Sequence, residues 1–536
     1  MNAPIRSSKS SAATWIAAAL VVLPFLQALS LDFDRSGAVV LLLPALWVGR
    51  VNLAQSLAQL SAGPLWLKFA ALLTALGLLA SIVTADQFAP ALVTAAAWTL
   101  IAAVALVAGQ CVAEDAAAGR RLLAGLALGA AGGMLAVWAL WILSGRGSVP
   151  LYAHHRLLGL HALMGAVASL ALIVNRDVYR AGRYFWLATG VITWAGMLWT
   201  GGRAPMVALA ATVVIWILLS PGTRRRELFR TSALLLVAGL ALSAVFWTSN
   251  RELGWWHAVG RTASGAASGS VSQLSSTRTD FWREVVHRAK LSPWVGHGPD
   301  SYRFLTPKLD GQQPHNFVLQ FWLDLGVVGA VPLLVLLAGV LVVGWKRAVA
   351  LEVEMPLAWL AVLTAGVVAG LLDGVFYHLL ALLPVMLAFG VALGLVSNPA
   401  PPARISQAPK WILGTATAVS LLHMGIFYEV AVAPPPPPTS WVTDSVRYFP
   451  SSTFGLWRWL DDWQASYPNE TLEWARWAQL HSPNPIFFHV YAARLLASQG
   501  NRGAAERELQ AAWDEAHWSV RPSIEAMMRQ LHPPAP

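Results

Sequence analysis

Long apolar runs broken by short polar joints dominate the chain from residue 12 to residue 430. A hydrocarbon core of ~30 Å needs ~20 mainly apolar residues per helix. By that ruler the runs predict membrane helices near 12–31, 37–49, 65–85, 90–112, 122–144, 157–174, 184–200, 204–220, 231–248, 316–344, 356–372, 377–397 and 410–430. The expected fold class is therefore all-α: a polytopic membrane protein of about 12–13 transmembrane helices.

One stretch breaks the pattern. Residues 249–315 form a large soluble loop whose first half, 260–277, is small and polar, the composition of a flexible, lid-like segment. After Thr277 the period turns helical. Phe281, Trp282, Val285, Val286 and Ala289 share one face, with Arg283, Glu284, His287, Arg288 and Lys290 around it. That reads as an amphipathic helix lying on the membrane surface. The loop closes on Pro314-His315-Asn316 and runs straight into an apolar span that carries Gln320, Asp324, Gly326 and Gly329.

Past the last span, Pro434–Pro438 predicts an extended, semi-rigid spacer. The chain then divides into a transmembrane domain (1–433, including loop 249–315), a Pro-rich linker (434–439) and a helical domain (440–536). In that domain Ala478 and Ala512 stand 34 residues apart, and Gly500, Ala505, Leu509 and Ala512 match the second half of a tetratricopeptide repeat. A plain helical hairpin domain is the other reading.

Composition sharpens this picture. The 536 residues are 56% hydrophobic and 12% charged, against about 25% charged in soluble proteins, so lipid must solvate most of the chain. The net charge of +10 is then a matter of topology and not a sign of nucleic-acid binding. Alternate loops carry Arg6 and Lys9; Arg50; Arg120 and Arg121; Arg176, Arg180 and Arg183; Arg224, Arg225, Arg226 and Arg230; Lys346 and Arg347; Arg404 and Lys410. The opposite short loops carry only Arg35, Arg146, Arg156 and Arg203. This bias puts the N-terminus in the cytoplasm and loop 249–315, with the C-terminus, on the far side. The single cysteine, Cys111, allows no internal disulfide. The N-terminal apolar run has the look of a signal peptide, but with so many spans behind it an uncleaved first helix is expected.

Candidate chemistry gathers on the far side. Arg203 follows Gly201-Gly202 and precedes Pro205 at a helix start. An arginine there opposes the helix dipole unless an anion shares the site; otherwise it snorkels to headgroups. Arg278 poses the same alternative, with Thr277 as N-cap and Asp280 three residues on. Bound pyrophosphate would turn the unfavourable dipole contact of roughly 0.3–1 kcal/mol into a favourable one. Arg288 lies on the exposed face of its helix and suits a headgroup or a substrate phosphate. His315 begins a span at the lipid–water boundary, and an imidazole of ordinary pKa, about 6.5, suits proton transfer near neutrality. Asn316, Gln320 and Asp324 recur every four residues and share a face, as intramembrane polar groups do when they line a cavity or a neighbouring helix. His154, His155, Arg156 and His161 form a further basic group, and Asp373 and His378 flank a short far-side turn in what reads as a structural role. No histidine or cysteine pair has metal-site spacing, so no metal or cofactor is expected.

Taken as a set, these residues resemble the O-antigen ligase and O-antigen polymerase superfamily of bacterial envelope glycosyltransferases. The resemblance rests on Gly202-Arg203, Arg278 with Trp282, Pro293-Trp294-Val295-Gly296-His297-Gly298, His315-Asn316, and Leu325-Gly326-Val327-Val328-Gly329. Asp324 stands where the family most often has Glu. The resemblance covers roughly 190–345 and the outer helices by topology only; 440–536 is not part of a minimal ligase. It implies a GT-C-like, inner-membrane enzyme that transfers an undecaprenyl-pyrophosphate-linked glycan, without metal and with inversion, to an acceptor hydroxyl on the periplasmic face. Arg203 and Arg278 would hold the pyrophosphate, with Asn316 and Arg288 as further substrate contacts, and His315 would be the base. The acceptor stays open between lipid A–core, the growing glycan and a protein side chain, and 440–536 could grip a periplasmic protein partner. A transporter is the opposing class, disfavoured by the lone large loop and the absence of two-half repetition.

Overall fold

The computed structural model describes residues 5–29, 35–144, 155–175, 180–250, 253–269, 278–304, 313–397, 407–432 and most of 435–531. Among them there is no strand. The chain runs through α1 (Ile5–Leu29), α2 (Arg35–Val48), α3 (Arg50–Ala62), α4 (Leu65–Val83), α5 (Phe88–Glu114), α6 (Ala116–Leu143), α7 (His155–Ile173) and α8 (Arg180–Trp199). It continues with α9 (Arg203–Leu219), α10 (Gly222–Val245), α11 (Trp255–Ala267), α12 (Arg278–Ala289), α13 (Phe317–Ala350), α14 (Glu354–Gly370), α15 (Leu379–Val396) and α16 (Gln407–Val432). Five short helices follow: α17 (Leu456–Trp463), α18 (Pro468–His481), α19 (Pro485–Ser498), α20 (Arg502–Glu515) and α21 (Arg521–Leu531).

Every apolar run picked out by length lies in a helix. Among the described residues, seven helices (α4, α5, α6, α7, α10, α13 and α15) are long and apolar enough to cross a membrane, and Ser11–Phe25, Arg203–Leu219 and Glu354–Gly370 are shorter apolar helices. The expected spans near 37–49, 184–200 and 410–430 are helical too, but fall short of that length or apolarity over the described residues. The fold is that of an all-α, polytopic membrane protein. Helix α3 was not expected. It is polar for its length, buries Asn52, Leu53 and Ser56, and ties itself to α5 where Ser56 Oγ donates to the Leu106 carbonyl at 2.9 Å.

Local chemistry explains the tight turns. Asp115 is the whole joint between α5 and α6, and its carboxylate caps α6 by accepting from Ala117 N at 2.8 Å. Helix α7 is the axis of the bundle, with 89% of its apolar window buried inside protein, packed by α6, α8, α14 and α15. Small residues let other helices touch backbone to backbone, as expected where lipid supplies no hydrophobic drive. Gly77 of α4 lies against Gly329 of α13, and Gly109 of α5 against Gly390 of α15.

Two expectations about the long loop are corrected. Residues 260–267 are not an irregular segment: they belong to α11, which buries Ala258 and Gly265. Residues 270–277, and with them Thr277, lie outside the described residues. Helix α12 forms as its periodicity predicts, but its apolar face is covered by protein and does not lie on the bilayer. Phe281, Val285 and Ala289 pack with Tyr302 and with Leu323 of α13. Periodicity reveals that a face must be buried; it does not reveal what buries it.

Candidate active site

Asp373 sits in the joint between α14 and α15, with its side chain only 4% exposed. Oδ1 accepts from His315 Nδ1 at 2.8 Å and from Gly374 N at 2.8 Å, while Oδ2 accepts from Arg278 Nη2 at 3.3 Å. Burial alone would raise its pKa. The hydrogen bond and charge of His315, with Arg278 and Arg156 behind them, outweigh burial and hold the carboxyl well below the usual carboxylate range.

His315 is fixed from several sides. Its φ of +53° lies in the left-handed region, uncommon for a residue with a side chain. Pro314 precedes it, and the Pro314 carbonyl accepts from Trp282 Nε1 at 3.0 Å. Asn316 follows as the N-cap of α13, accepting from Val318 N at 3.0 Å and Leu319 N at 3.1 Å and donating to the Leu371 carbonyl at 3.1 Å. Phe281 meets the imidazole edge-on, with centroids 6.0 Å apart. With Nδ1 given to the carboxylate, Nε2 is the ring nitrogen left for other partners. The side chain is 14% exposed.

Guanidinium groups surround this pair. Burial lowers the Arg278 pKa; Asp373 raises it, and the like charges of Arg156 and Arg203 lower it again. Arg203 in turn feels the charges of Arg261 and Arg156. Arg261, on α11, donates to the Gly201 carbonyl at 3.1 Å, in the same glycine turn that launches Arg203. Three of these four arginines stand in the first turn of a helix: Arg156 in α7, Arg203 at the start of α9 and Arg278 at the start of α12. Each such end adds partial positive charge and backbone N–H groups. Helix N-termini and guanidinium groups of this kind are what an anion with several oxygens would meet.

The structure thus brings together Arg203, Arg278 and His315, sets Asn316 beside them, and leaves Arg288 apart. Arg288 stands ten residues along α12 from Arg278, about 15 Å of helix. Its Nε donates to Glu284 at 2.7 Å. Sequence reasoning read Asp373 as structural, Arg156 as one of a weak basic group and Arg261 as part of a lid. His161 is buried within α7, with Nδ1 3.3 Å from the Leu380 carbonyl. His154 lies outside the described residues.

A second constellation holds the loop in place. Helix α13 is broken at Gly326 (φ 60°, ψ −174°), and residues 293–298 insert into the break. His297 N donates to the Leu323 carbonyl at 2.9 Å and Gly298 N to the Asp324 carbonyl at 3.0 Å. In return Val327 N reaches Pro293 at 2.8 Å and Val328 N reaches Trp294 at 3.0 Å. The Asp324 carboxylate accepts from Ser301 N at 3.2 Å and from Ser301 Oγ at 3.0 Å. His297 completes the clamp, with Nδ1 2.7 Å from Asp86 Oδ2 and Nε2 3.0 Å from the Arg288 carbonyl. These glycine motifs build the platform; they do not face the Asp373 group.

The protein is thus a membrane helix bundle that carries arginines near a carboxylate-bound histidine. Residues 188–334 match the family model described as O-antigen ligase, which supports the resemblance to the O-antigen ligase and polymerase superfamily. That match spans Arg203, Arg278 and His315, whereas Asp373 and Arg156 lie outside it. It supports a glycosyltransferase-like enzyme of ligase or polymerase kind acting on lipid-linked glycans. No curated protein matches the chain.

Proposed function

We propose that the protein transfers a glycan from undecaprenyl pyrophosphate to an acceptor hydroxyl on the periplasmic face of the bacterial inner membrane. The observation that carries this reading is the Arg278–Asp373–His315 arrangement within electrostatic reach of Arg156 and Arg203. His315 Nε2 takes the proton of the acceptor hydroxyl, and the oxygen attacks the anomeric carbon as the bond from that carbon to the pyrophosphate oxygen breaks. The configuration at that carbon inverts. The leaving pyrophosphate carries its new charge to the guanidiniums and helix amides, which stabilise it most as the bond breaks. Asp373 fixes the ring tautomer and supports the imidazolium that forms. Asn316 holds the backbone that aims His315.

The arginines supply the charge that a metal would otherwise supply, so activity of the purified protein is expected to survive EDTA. A loss of rate restored by added metal would count against this. His315→Ala and Arg278→Ala should each lower transfer by about 10²–10⁴-fold while the protein still inserts in the membrane. Wild-type transfer by either variant in cells refutes the assignment. A knockout examined on an envelope-glycan gel separates the acceptors. A ligase loses all long chains from lipid A–core, a polymerase leaves single repeats, and a protein transferase changes only glycoprotein mobility. The paired helices of the C-terminal region, with α18 and α20 starting 34 residues apart, favour a tetratricopeptide-like unit that engages a periplasmic protein.

A further inference from the structure

The end of the bundle away from Asp373 carries a second cavity. Helix α15 starts beside the Asp373 joint and runs to Val396, so Lys410, early in α16, belongs to the opposite end. Arg50 follows α2 at that end: α4, which starts beyond α3, finishes next to Asp86 and the clamp on His297. Between α1, α2, α3 and α16 lies a cavity of about 880 Å³, walled by apolar side chains such as Trp15, Leu43, Leu53 and Leu413. Among the described residues its charged lining is Arg50 and Lys410, with no carboxylate. Both cations are exposed, and Arg50 is steadied over the Trp47 ring, 5.2 Å from its centroid. Trp47 and Trp411, 73% and 76% exposed, mark the same level as a membrane–water boundary.

We infer that this cavity is a binding site for an anionic phospholipid, acyl chain against the apolar wall and phosphate headgroup between Arg50 and Lys410. Size fits, because ligand pockets run from roughly 300 to 1,000 Å³. Charge decides the occupant. A zwitterionic lipid would fill the wall equally well but gain little from two unopposed cations. A protein helix seated there would have to bring its own acid to the rim. Basic pockets between membrane helices on the side of the anionic leaflet take lipid headgroups for the same reason. The site is independent of the proposed transfer reaction, which lies at the other end of the bundle.

Native mass spectrometry of the full-length protein, loaded with phosphatidylglycerol or phosphatidylethanolamine, tests this directly. Wild type should retain phosphatidylglycerol preferentially, and the double variant Arg50→Gln/Lys410→Gln should lose roughly thirtyfold of that preference. Leu53→Trp, which fills the cavity, should reduce retention of both lipids. Excess inorganic phosphate should not displace the bound lipid, because the chain anchors it. Glycan transfer by each variant reports that it has folded. Equal retention of the two lipids by wild type overturns the proposal. So does an unchanged preference in the double variant, or a dimer that Leu53→Trp disrupts without altering lipid retention.

Discussion

Asp373 holds His315 with one oxygen and Arg278 with the other, so a single carboxylate positions both the proposed base and the proposed pyrophosphate-binding cation. Replacing it with asparagine keeps the shape but removes the charge that supports an imidazolium. Transfer by Asp373→Asn should therefore fall by about 10²–10⁴-fold, through rate more than through donor affinity. The stability consequence follows from its lowered pKa. A depressed carboxylate contributes stability that is fully present above the unfolded pKa, about 3.9, and is lost as pH falls through the folded value. Thermal melts should show wild type above Asp373→Asn by a margin that does not shrink from neutral pH down to about 4 and narrows only below that. A margin that closes between pH 7 and 5 would mean the carboxylate is not held as described. The sequence advertised Arg203, Arg278 and His315 because each stands in a local signal: a glycine turn, a helix start, a Pro-His-Asn step. Asp373 gives no such signal. Its partners are 58 and 95 residues away, and only the meeting of α12, the start of α13 and the α14–α15 joint creates its role.

Helix α13 shows how an element can be correct in outline and unreadable in detail. Its apolar length predicts one long span, yet Gly326 breaks it and the loop at 293–298 completes the severed hydrogen bonds. The glycines on both sides of that dock are needed twice over. Gly326 and Gly296 have φ of 60° and 74°, and a Cβ on either would strike the other's strand of backbone: Trp294 and Val295 in one case, Asp324 and Gly326 in the other. Gly326→Ala should cost more than about 3 kcal/mol and lower the yield of folded protein, read by detergent-solubilised melts. Gly260→Ala, inside α11 where a Cβ meets nothing, should cost nothing and gain up to about 1 kcal/mol. The reverse ranking would mean the break in α13 is not held by this loop. The family resemblance marks Gly296, Gly298, Gly326 and Gly329 as special, but not that the two segments bind each other. The same limit applies to α11. Small polar residues read as a lid, yet Arg261 is carried by that helix to the Gly201 turn, a contact 60 residues distant that composition cannot encode.

At the scale of the whole molecule, the question is whether the C-terminal region works with the membrane site or merely follows it. Its core is not separate from the last span: Val430 of α16 is buried with Trp459, Trp463 and Trp474. The Arg458 guanidinium donates to the Val430 carbonyl at 3.4 Å. The proline spacer is bound as well as stiff. Trp463 Nε1 donates to the Pro436 carbonyl at 2.8 Å and Trp474 Nε1 to the Pro438 carbonyl at 3.2 Å. Prolines have carbonyls to offer and no N–H, so indole donors are the fitting partners. A region seated this way would hold a partner or a growing chain at a fixed distance from α16. Among the described residues, none of this region's contacts falls on the Arg278–Asp373–His315 group. Removing 440–536 should then leave bond formation intact and change acceptor choice or product length, seen as altered banding on an envelope-glycan gel. Truncation also bares Val430, so Trp474→Ala, which should unfold the region by about 3–5 kcal/mol while keeping the chain whole, serves as the second variant. If both variants insert in the membrane and both abolish transfer outright, the region supplies part of the reaction itself and the division of labour drawn here is wrong. Unchanged banding in both would make it a passenger.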